Sequence, residues 1–280
     1  MPEDAISSRA TEVTFSDLLA LEDEGSGKYR GVCHEGAPMR AFGGQVAAQA
    51  FIAAAMSAPP EQSPASMHAY FAKAATAGES IEYVVDVTGD GNSLSTRSVT
   101  ARQRGRTVLR LMASFCRPED GPTRRRLPAD HSTPPAEDGQ GNRPGSRSVR
   151  ERAVEQLTAT SDSTESDPGF GHFSRWMRAR SPIGAEPALQ AGAVIYMADM
   201  VLARAVLQPH EQRSQGAARV ASLDHSVWFH GEIRAEQWLL LEASSPVLTG
   251  SRGLALAHVY GESGALVATA AQEVQARQLG

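Results

Sequence analysis

The 280-residue sequence has only two cysteines, Cys33 and Cys116, so a disulfide framework cannot hold the fold together. Such sparse cysteine use is typical of a reducing compartment, and we expect a cytoplasmic location. The first residues lack the basic-then-apolar order of a secretory signal. No apolar run approaches the roughly 20 residues that a transmembrane helix needs, so we expect no membrane span.

The net charge is small, and common catalytic motifs are missing. The formal net charge is -5 at pH 7, which argues against broad binding of nucleic acid or anionic membranes. The sequence has no Gly-x-Ser-x-Gly elbow, no Rossmann fingerprint between strand and helix, no Walker loop, and no His-Glu-x-x-His or Cys-x-x-Cys zinc pattern. We therefore expect no metal and no resident cofactor, and direct attack by a bound water is the form of hydrolysis that remains.

The chain does contain an internal repeat. Residues 221–230 recur in degenerate form at 65–71, and the spacing to the next glycine turn is 34 positions after Phe71 and 35 after Phe229. Each turn is followed by a strand-like run, which is typical of a hairpin. The repeat predicts two copies of one structural unit.

An apolar helix precedes each copy of the repeated string. The first is predicted at 43–56, ending before Pro59, and the second at 194–207, ending at Pro209. A helix followed by several strands indicates an α+β unit in which the helix packs on one face of the sheet.

Between the two units the composition changes to proline, glycine, serine, aspartate and arginine. We predict an N-terminal unit at 1–118, a mobile linker at 119–169 and a C-terminal unit at 170–280, because such a linker buries too little apolar area to offset its ordering entropy. The arginines at 124–126 are interpreted as a solvated charge run rather than a phosphate contact.

Three polar residues in the second unit are candidates for chemistry. Asp199 is a carboxylate inside an apolar helix, which is costly unless the group is paired or used. Ser222 begins a strand, and Gln272 follows the alanine-rich run at 265–271. Each alone is typical of a structural role, but together a carboxylate, a hydroxyl and an amide are suited to holding and activating a water.

Further candidates lie around these residues. Gly43 and Gly44 could bring backbone N–H groups close to a substrate carbonyl, because glycine permits close approach. Strand alternation puts Ser222, Asp224 and Ser226 on one face, so Asp224 is a candidate substrate-binding residue. Hydrogen bonding to structural loops is the favoured alternative for Asp224.

Cys33 and the histidine after it suggest a thiol nucleophile or metal ligand, but an incidental buried thiol is the favoured interpretation.

Several motifs together resemble the thioesterase II family of acyl-CoA thioesterases over 12–118 and 170–276. They are Leu223-Asp224-His225-Ser226-Val227-Trp228-Phe229-His230, Phe42-Gly43-Gly44-Gln45, Gly91-Asn92-Ser93, Ala113-Ser114-Phe115 and Gln272-Glu273. The resemblance implies a double hotdog, in which each repeat has a long central helix wrapped by a curved antiparallel sheet and the two sheets join edge to edge.

The same resemblance implies hydrolysis of fatty acyl-CoA to free acid and CoA, with Asp199, Ser222 and Gln272 as the catalytic residues. Coenzyme A is then part of the substrate rather than a cofactor. The first repeat has Ala113 at the position of Gln272, which implies one active site per chain. By analogy we expect a homodimer or a higher homo-oligomer.

Two alternatives remain open from the sequence. An acyl-CoA-binding or scaffold protein with little activity is suggested by two departures from the family pattern, a serine in place of threonine at 222 and an altered loop at 72–79. An enoyl-CoA hydratase or dehydratase is less favoured, because neither predicted helix contains a histidine and both His68 and His225 lie on predicted strands.

Overall fold

The computed structural model describes residues 14–128, 148–159, 171–213 and 218–278. Its helices and strands, in chain order, are α1 (Phe15–Leu19), β1 (Glu22–Gly25), β2 (Lys28–Val32), β3 (Glu35–Ala37), β4 (Arg40–Ala41), α2 (Gly43–Met56), β5 (Ser63–Phe71), β6 (Ser80–Asp90), β7 (Leu94–Gln103), β8 (Arg106–Cys116), α3 (Val149–Ala153), β9 (Val154–Thr158), β10 (Gly171–Ala179), α4 (Pro187–Arg213), β11 (Ala218–Ser222), β12 (Asp224–Phe229), β13 (Leu239–Thr249), β14 (Arg252–Tyr260) and β15 (Leu266–Gln278).

The first repeat consists of α2 and the strands around it. No residue of α2 is charged, and the helix is buried along most of its length, as its alanine-rich sequence predicts. The β7–β8 hairpin turns at Arg104 and Gly105, both with positive φ, which suits the right-handed twist of the paired strands. This arrangement confirms the helix and the hairpin predicted from the repeat.

The second repeat places α4 against β10 and β13–β15 in the same way. The two helices also pack on each other. A Cβ added at Gly192 of α4 would lie 3.0 Å from Ile52 Cδ1 of α2, so the missing side chain permits this close approach. One continuous apolar core therefore runs through both repeats.

The repeated strings meet at the centre of the sheet. Strand β5 pairs antiparallel with β12, and Met67 lies opposite Val227 while His68 lies opposite Ser226. This pairing joins the two repeats into a 13-stranded sheet with the order β1-β2-β6-β7-β8-β5-β12-β15-β14-β13-β10-β9, in which β11 also pairs with β15. The edge-to-edge junction and the α+β class are confirmed.

The region between the repeats departs from the predicted linker. Residues 148–159 form α3 and β9, and β9 adds a strand to the sheet by pairing with β10. Val154 and Leu157 are buried there, so this short segment makes apolar contacts that the polar residues on either side of it cannot make. The remaining linker positions 129–147 and 160–170 lie outside the described residues.

Helix α4 is longer than predicted. It begins at Pro187 and continues past Pro209 to Arg213, so the prediction that this proline ends the helix is wrong. A proline removes one backbone hydrogen bond, and packing of the rest of the helix outweighs that loss here. By length and composition Pro187–Leu207 could cross a membrane, yet 78% of its apolar window is buried inside the fold, as in the core helix of a globular unit.

Candidate active site

Asp199 lies where the two central helices meet. Its side chain is 5% exposed, and its Oδ2 accepts a hydrogen bond of 2.8 Å from the backbone N–H of Gly44 in the first turn of α2. A helix N-terminus attracts negative charge and carries N–H groups without helical partners. The second repeat therefore supplies a carboxylate that is held by the first.

Gly44 is needed for this contact. A Cβ at that position would lie 2.9 Å from Asp199 Cβ and 2.8 Å from a ring carbon of Phe42, closer than real side chains pack. The N–H of Gly44 is taken by Asp199 and cannot also serve a substrate carbonyl. The prediction that both glycines offer an N–H to the substrate is therefore wrong for Gly44, whereas the N–H of Gly43 has no partner in the part of the chain that the structure describes.

Ser222 reaches Asp199 through an irregularity in its strand. Ser222 lies opposite Val274 and Ser226 lies opposite Ala271, so four steps along one strand match three along the other. This is a β-bulge, which re-aims the side chains on either side of it. As a result the Ser222 hydroxyl points inward and donates to Asp199 Oδ1 at 3.0 Å.

The same bulge overturns the expected alternation of side chains. Asp224 and Ser222 do not share the inner face. The carboxylate of Asp224 instead accepts from the backbone N–H of Glu273 at 2.6 Å and ties β12 to β15, while Ser226 contacts His68 at 3.1 Å. No contact joins Asp224 to Asp199, Ser222 or Gln272 among the described residues.

Gln272 completes the cluster from β15. It is fully buried, and its amide Nε2 donates to Asp199 Oδ1 at 2.8 Å and to Ser222 Oγ at 2.6 Å. The three predicted residues are therefore in mutual contact although 73 positions separate Asp199 from Gln272. A carboxylate acceptor with two polar groups fixed beside it can remove a proton from a water and orient that water.

Within the residues that the structure describes, this set of groups occurs in the second repeat alone. In the first repeat Ala113 lies opposite Met67, which precedes Phe71 by four positions, as His225 precedes Phe229 in the second repeat. An alanine thus stands where the second repeat has Gln272, and the described residues contain one such cluster per chain.

Comparison with known proteins agrees with this architecture. The profile of the acyl-CoA thioesterase N-terminal domain matches residues 34–116, and that of the acyl-CoA thioesterase C-terminal domain matches 124–276. Human acyl-coenzyme A thioesterase 8 is 31% identical over 93% of this chain and 88% of its own. The chain belongs to the acyl-CoA thioesterase family.

Further relatives of this thioesterase come from bacteria. Acyl-CoA thioesterase 2 of Haemophilus influenzae is 29% identical over 91% of this chain and 94% of its own. The crystal structure of an acyl-CoA thioesterase II from Mycobacterium marinum superposes with a TM-score of 0.82 at 30% identity, covering 95% of this chain and 99% of that one. The fold and the thioester hydrolase activity expected from the motifs are both confirmed.

The arginines at 124–126 lie on the second repeat of the thioesterase. Arg125 donates to the carbonyl of His230 at 3.2 Å and lines a surface pocket of about 370 Å³ together with Arg234, Glu232 and Glu262. The charges of this pocket are mixed, and none of Asp199, Ser222 and Gln272 lines it. The pocket therefore gives no support to a phosphate contact at Arg125.

An aromatic group beside Asp199 was missed in the sequence. Tyr196 precedes Asp199 by three positions on α4, its hydroxyl lies 2.7 Å from His34 Nε2, and the Phe42 ring lies 4.8 Å from its own. Burial raises the pKa of Tyr196 and lowers the pKa of His34, so both side chains stay neutral at pH 7. The sequence could have indicated this neighbour, because residues three positions apart in a helix, such as Tyr196 and Asp199, lie on the same face.

The two cysteines of the thioesterase should differ in reactivity. Cys33 is fully buried, and burial raises its pKa to about 12, so its thiol stays protonated and unreactive at pH 8. We expect iodoacetamide at pH 8 to alkylate the half-buried Cys116 and to leave Cys33 intact, as peptide mass spectrometry would measure. Denatured protein, in which both thiols react, is the control. Rapid labelling of native Cys33 with matching loss of activity would instead support a thiol nucleophile.

Proposed function

We propose that this thioesterase hydrolyses fatty acyl-CoA to free acid and CoA by direct attack of a water, with Asp199 as the general base. Ser222 and Gln272 orient the water in this proposal. The observation that supports it best is the contact of both side chains with a single carboxylate oxygen, at 3.0 and 2.8 Å. A water that takes the place of either donor at Asp199 Oδ1 would contact the same two groups.

The proposed reaction balances without any other reactant. The water oxygen bonds to the thioester carbonyl carbon while Asp199 takes one of its protons. The tetrahedral intermediate then collapses, the C–S bond breaks, and the proton on Asp199 passes to the departing sulfur. The products are a carboxylic acid and the thiol of CoA, and Asp199 returns to its charged state.

Gly43 is the proposed oxyanion donor. Its N–H is in the first turn of α2, next to the N–H that holds Asp199, and a Cβ there would lie 3.6 Å from Asp199 Oδ2. A carbonyl oxygen at Gly43 would thus be close to the base and at the positive end of the helix. A donor in such a position is typically worth about 3 kcal/mol in the transition state.

The hydratase alternative was disfavoured because the predicted helices contain no histidine, but α4 is longer than predicted and contains one. His210 lies in the helix, but it follows Asp199 by eleven positions, which is about three turns along the helix axis. The hydratase alternative therefore gains no histidine next to Asp199 in the helix sequence.

The direct test measures CoA release with a thiol reagent on saturated acyl-CoAs from short to long chains. We expect release from at least one length class, at a rate proportional to enzyme concentration. The same protein should not hydrate an enoyl-CoA. Hydration without CoA release would replace the proposal by a hydratase, and tight binding without either reaction would replace it by a scaffold.

A further inference from the structure

His225 is a buried histidine directly behind the proposed active site. It is fully buried on β12, and its Nε2 lies 3.2 Å from the carbonyl oxygen of Ile195, one helical turn before Asp199 on α4. A buried imidazole needs partners for its ring nitrogens, because an unpaired buried polar group is costly.

Two buried polar atoms lack hydrogen-bond partners at this point, Nδ1 of His225 and Oε1 of Gln272. The residues are neighbours across two strands. Ser226 pairs with Ala271 and the N–H of Leu223 donates to Glu273, so His225 lies in the bulge of β12 beside Gln272 of β15, and both side chains are buried.

The other contacts of His225 and Gln272 determine which of their atoms are available to bond to each other. Nε2 of Gln272 is used by Asp199 and Ser222, so only its oxygen is available to His225. Nε2 of His225 faces Ile195, so only Nδ1 is available to Gln272. An amide oxygen can only accept, so a proton on Nδ1 satisfies both atoms at once.

The carbonyl of Ile195 does not depend on this histidine. In an α-helix it also accepts the backbone N–H of the residue four positions later, which is Asp199. The oxygen of Gln272 has no such second donor among the described residues. A proton on Nδ1 leaves Nε2 bare toward an oxygen that the helix already satisfies, whereas a bare Nδ1 leaves Oε1 of Gln272 with no donor among the described residues.

We propose that His225 is a positioning residue that donates its Nδ1–H to Oε1 of Gln272 and so fixes the amide with its NH2 group toward Asp199 and Ser222. The inference rests on the proposed function, since it assigns a role to the amide that orients the water. A reversed amide would turn its oxygen toward the Asp199 carboxylate, where two acceptors repel, and the NH2 group would no longer hold Ser222.

Both candidate acceptors affect the protonation of His225. Burial lowers the pKa of His225, and Asp199, the Ile195 carbonyl, the Gln272 amide and Asp224 each oppose that effect. The Ile195 carbonyl and the Gln272 amide can each accept a hydrogen bond from the ring, and either contact raises the pKa of an imidazole.

Two matched variants separate positioning from packing. In His225→Asn the side-chain amide replaces Nδ1 and can still donate to Gln272, whereas in His225→Gln the amide reaches the position of Nε2 and serves Ile195. We expect His225→Gln to lower kcat by about 10- to 100-fold with KM within about twofold, since small misplacement of reacting groups has effects of this size. His225→Asn should keep kcat within a few-fold of wild type.

A double-mutant cycle and a spectrum complete the test. In a Gln272→Ala background, His225→Gln should cause no further loss of kcat, because the group it positions is gone. Nitrogen-15 NMR of the wild-type protein should show the proton on Nδ1 of His225, and this needs no variant to fold. A bare Nδ1, equal losses in both His225 variants, or full additivity with Gln272→Ala would each overturn the inference. If Asp199→Asn stays active, the proposed function fails instead.

Discussion

We expect Asp199→Asn to lower kcat for acyl-CoA hydrolysis by about 10²- to 10⁴-fold, the usual contribution of a general base. Asparagine keeps the shape of the side chain and can still accept the N–H of Gly44 that Asp199 now accepts at 2.8 Å. It cannot take a proton from water. Steady-state kinetics with a thiol reagent would measure the loss, and thermal unfolding would show that the fold is retained.

The matched control for this variant is Asp86→Asn. Asp86 is an exposed carboxylate on β6 in the first repeat, so its replacement removes the same charge far from the site. We expect wild-type kcat from it. Near-full activity in Asp199→Asn, or an equal loss in both variants, would rule out Asp199 as the base.

We expect Gly44→Ala to damage both stability and turnover. The new Cβ would lie 2.9 Å from Asp199 Cβ, an atom close to the backbone of α4 that cannot turn aside, so the two helices must separate. Overpacking of this kind typically costs about 1–3 kcal/mol. Displacement of the carboxylate should lower kcat by about 10²-fold, because position decides the rate of proton transfer.

Two other glycines calibrate this effect. A Cβ at Gly43 would lie 3.3 Å from a ring carbon of Phe71 and 3.6 Å from Asp199 Oδ2, so Gly43→Ala should lose less free energy of unfolding than Gly44→Ala. Gly89→Ala has open space around the new Cβ and should match wild type in both measurements. Urea denaturation and CoA release would be measured for all three. Equal stability of the three variants would contradict the close approach at Gly44.

The sequence predicted most of the fold because the duplication repeats both pattern and spacing. The strings around Met67 and Val227 identified the two β-strands that later proved to pair with each other. The apolar run from Gly43 to Met56 fixed one central helix correctly, since no charge or proline interrupts it. Asp199 stood out for the opposite reason, as a lone carboxylate in an apolar run.

Other features depend on contacts between distant residues and were not predictable. The bulge near Ser222 arises from the register between strands, which no local pattern records, and it reversed the expected direction of Ser222 relative to Asp224. Strand β9 lies in a polar stretch and becomes a strand only because β10 offers an edge. The capture of the Gly44 N–H by Asp199 joins groups that are 155 positions apart.

The hydrogen bond from Gly44 to Asp199 makes the chemistry a joint property of the two halves. Asp199, the proposed base, is carried by one half and anchored by the other, and the backbone bonds between β5 and β12 keep the carboxylate and its anchor in register. We expect changes that weaken this pairing to abolish activity before the whole chain unfolds. We also expect that neither half expressed alone hydrolyses acyl-CoA.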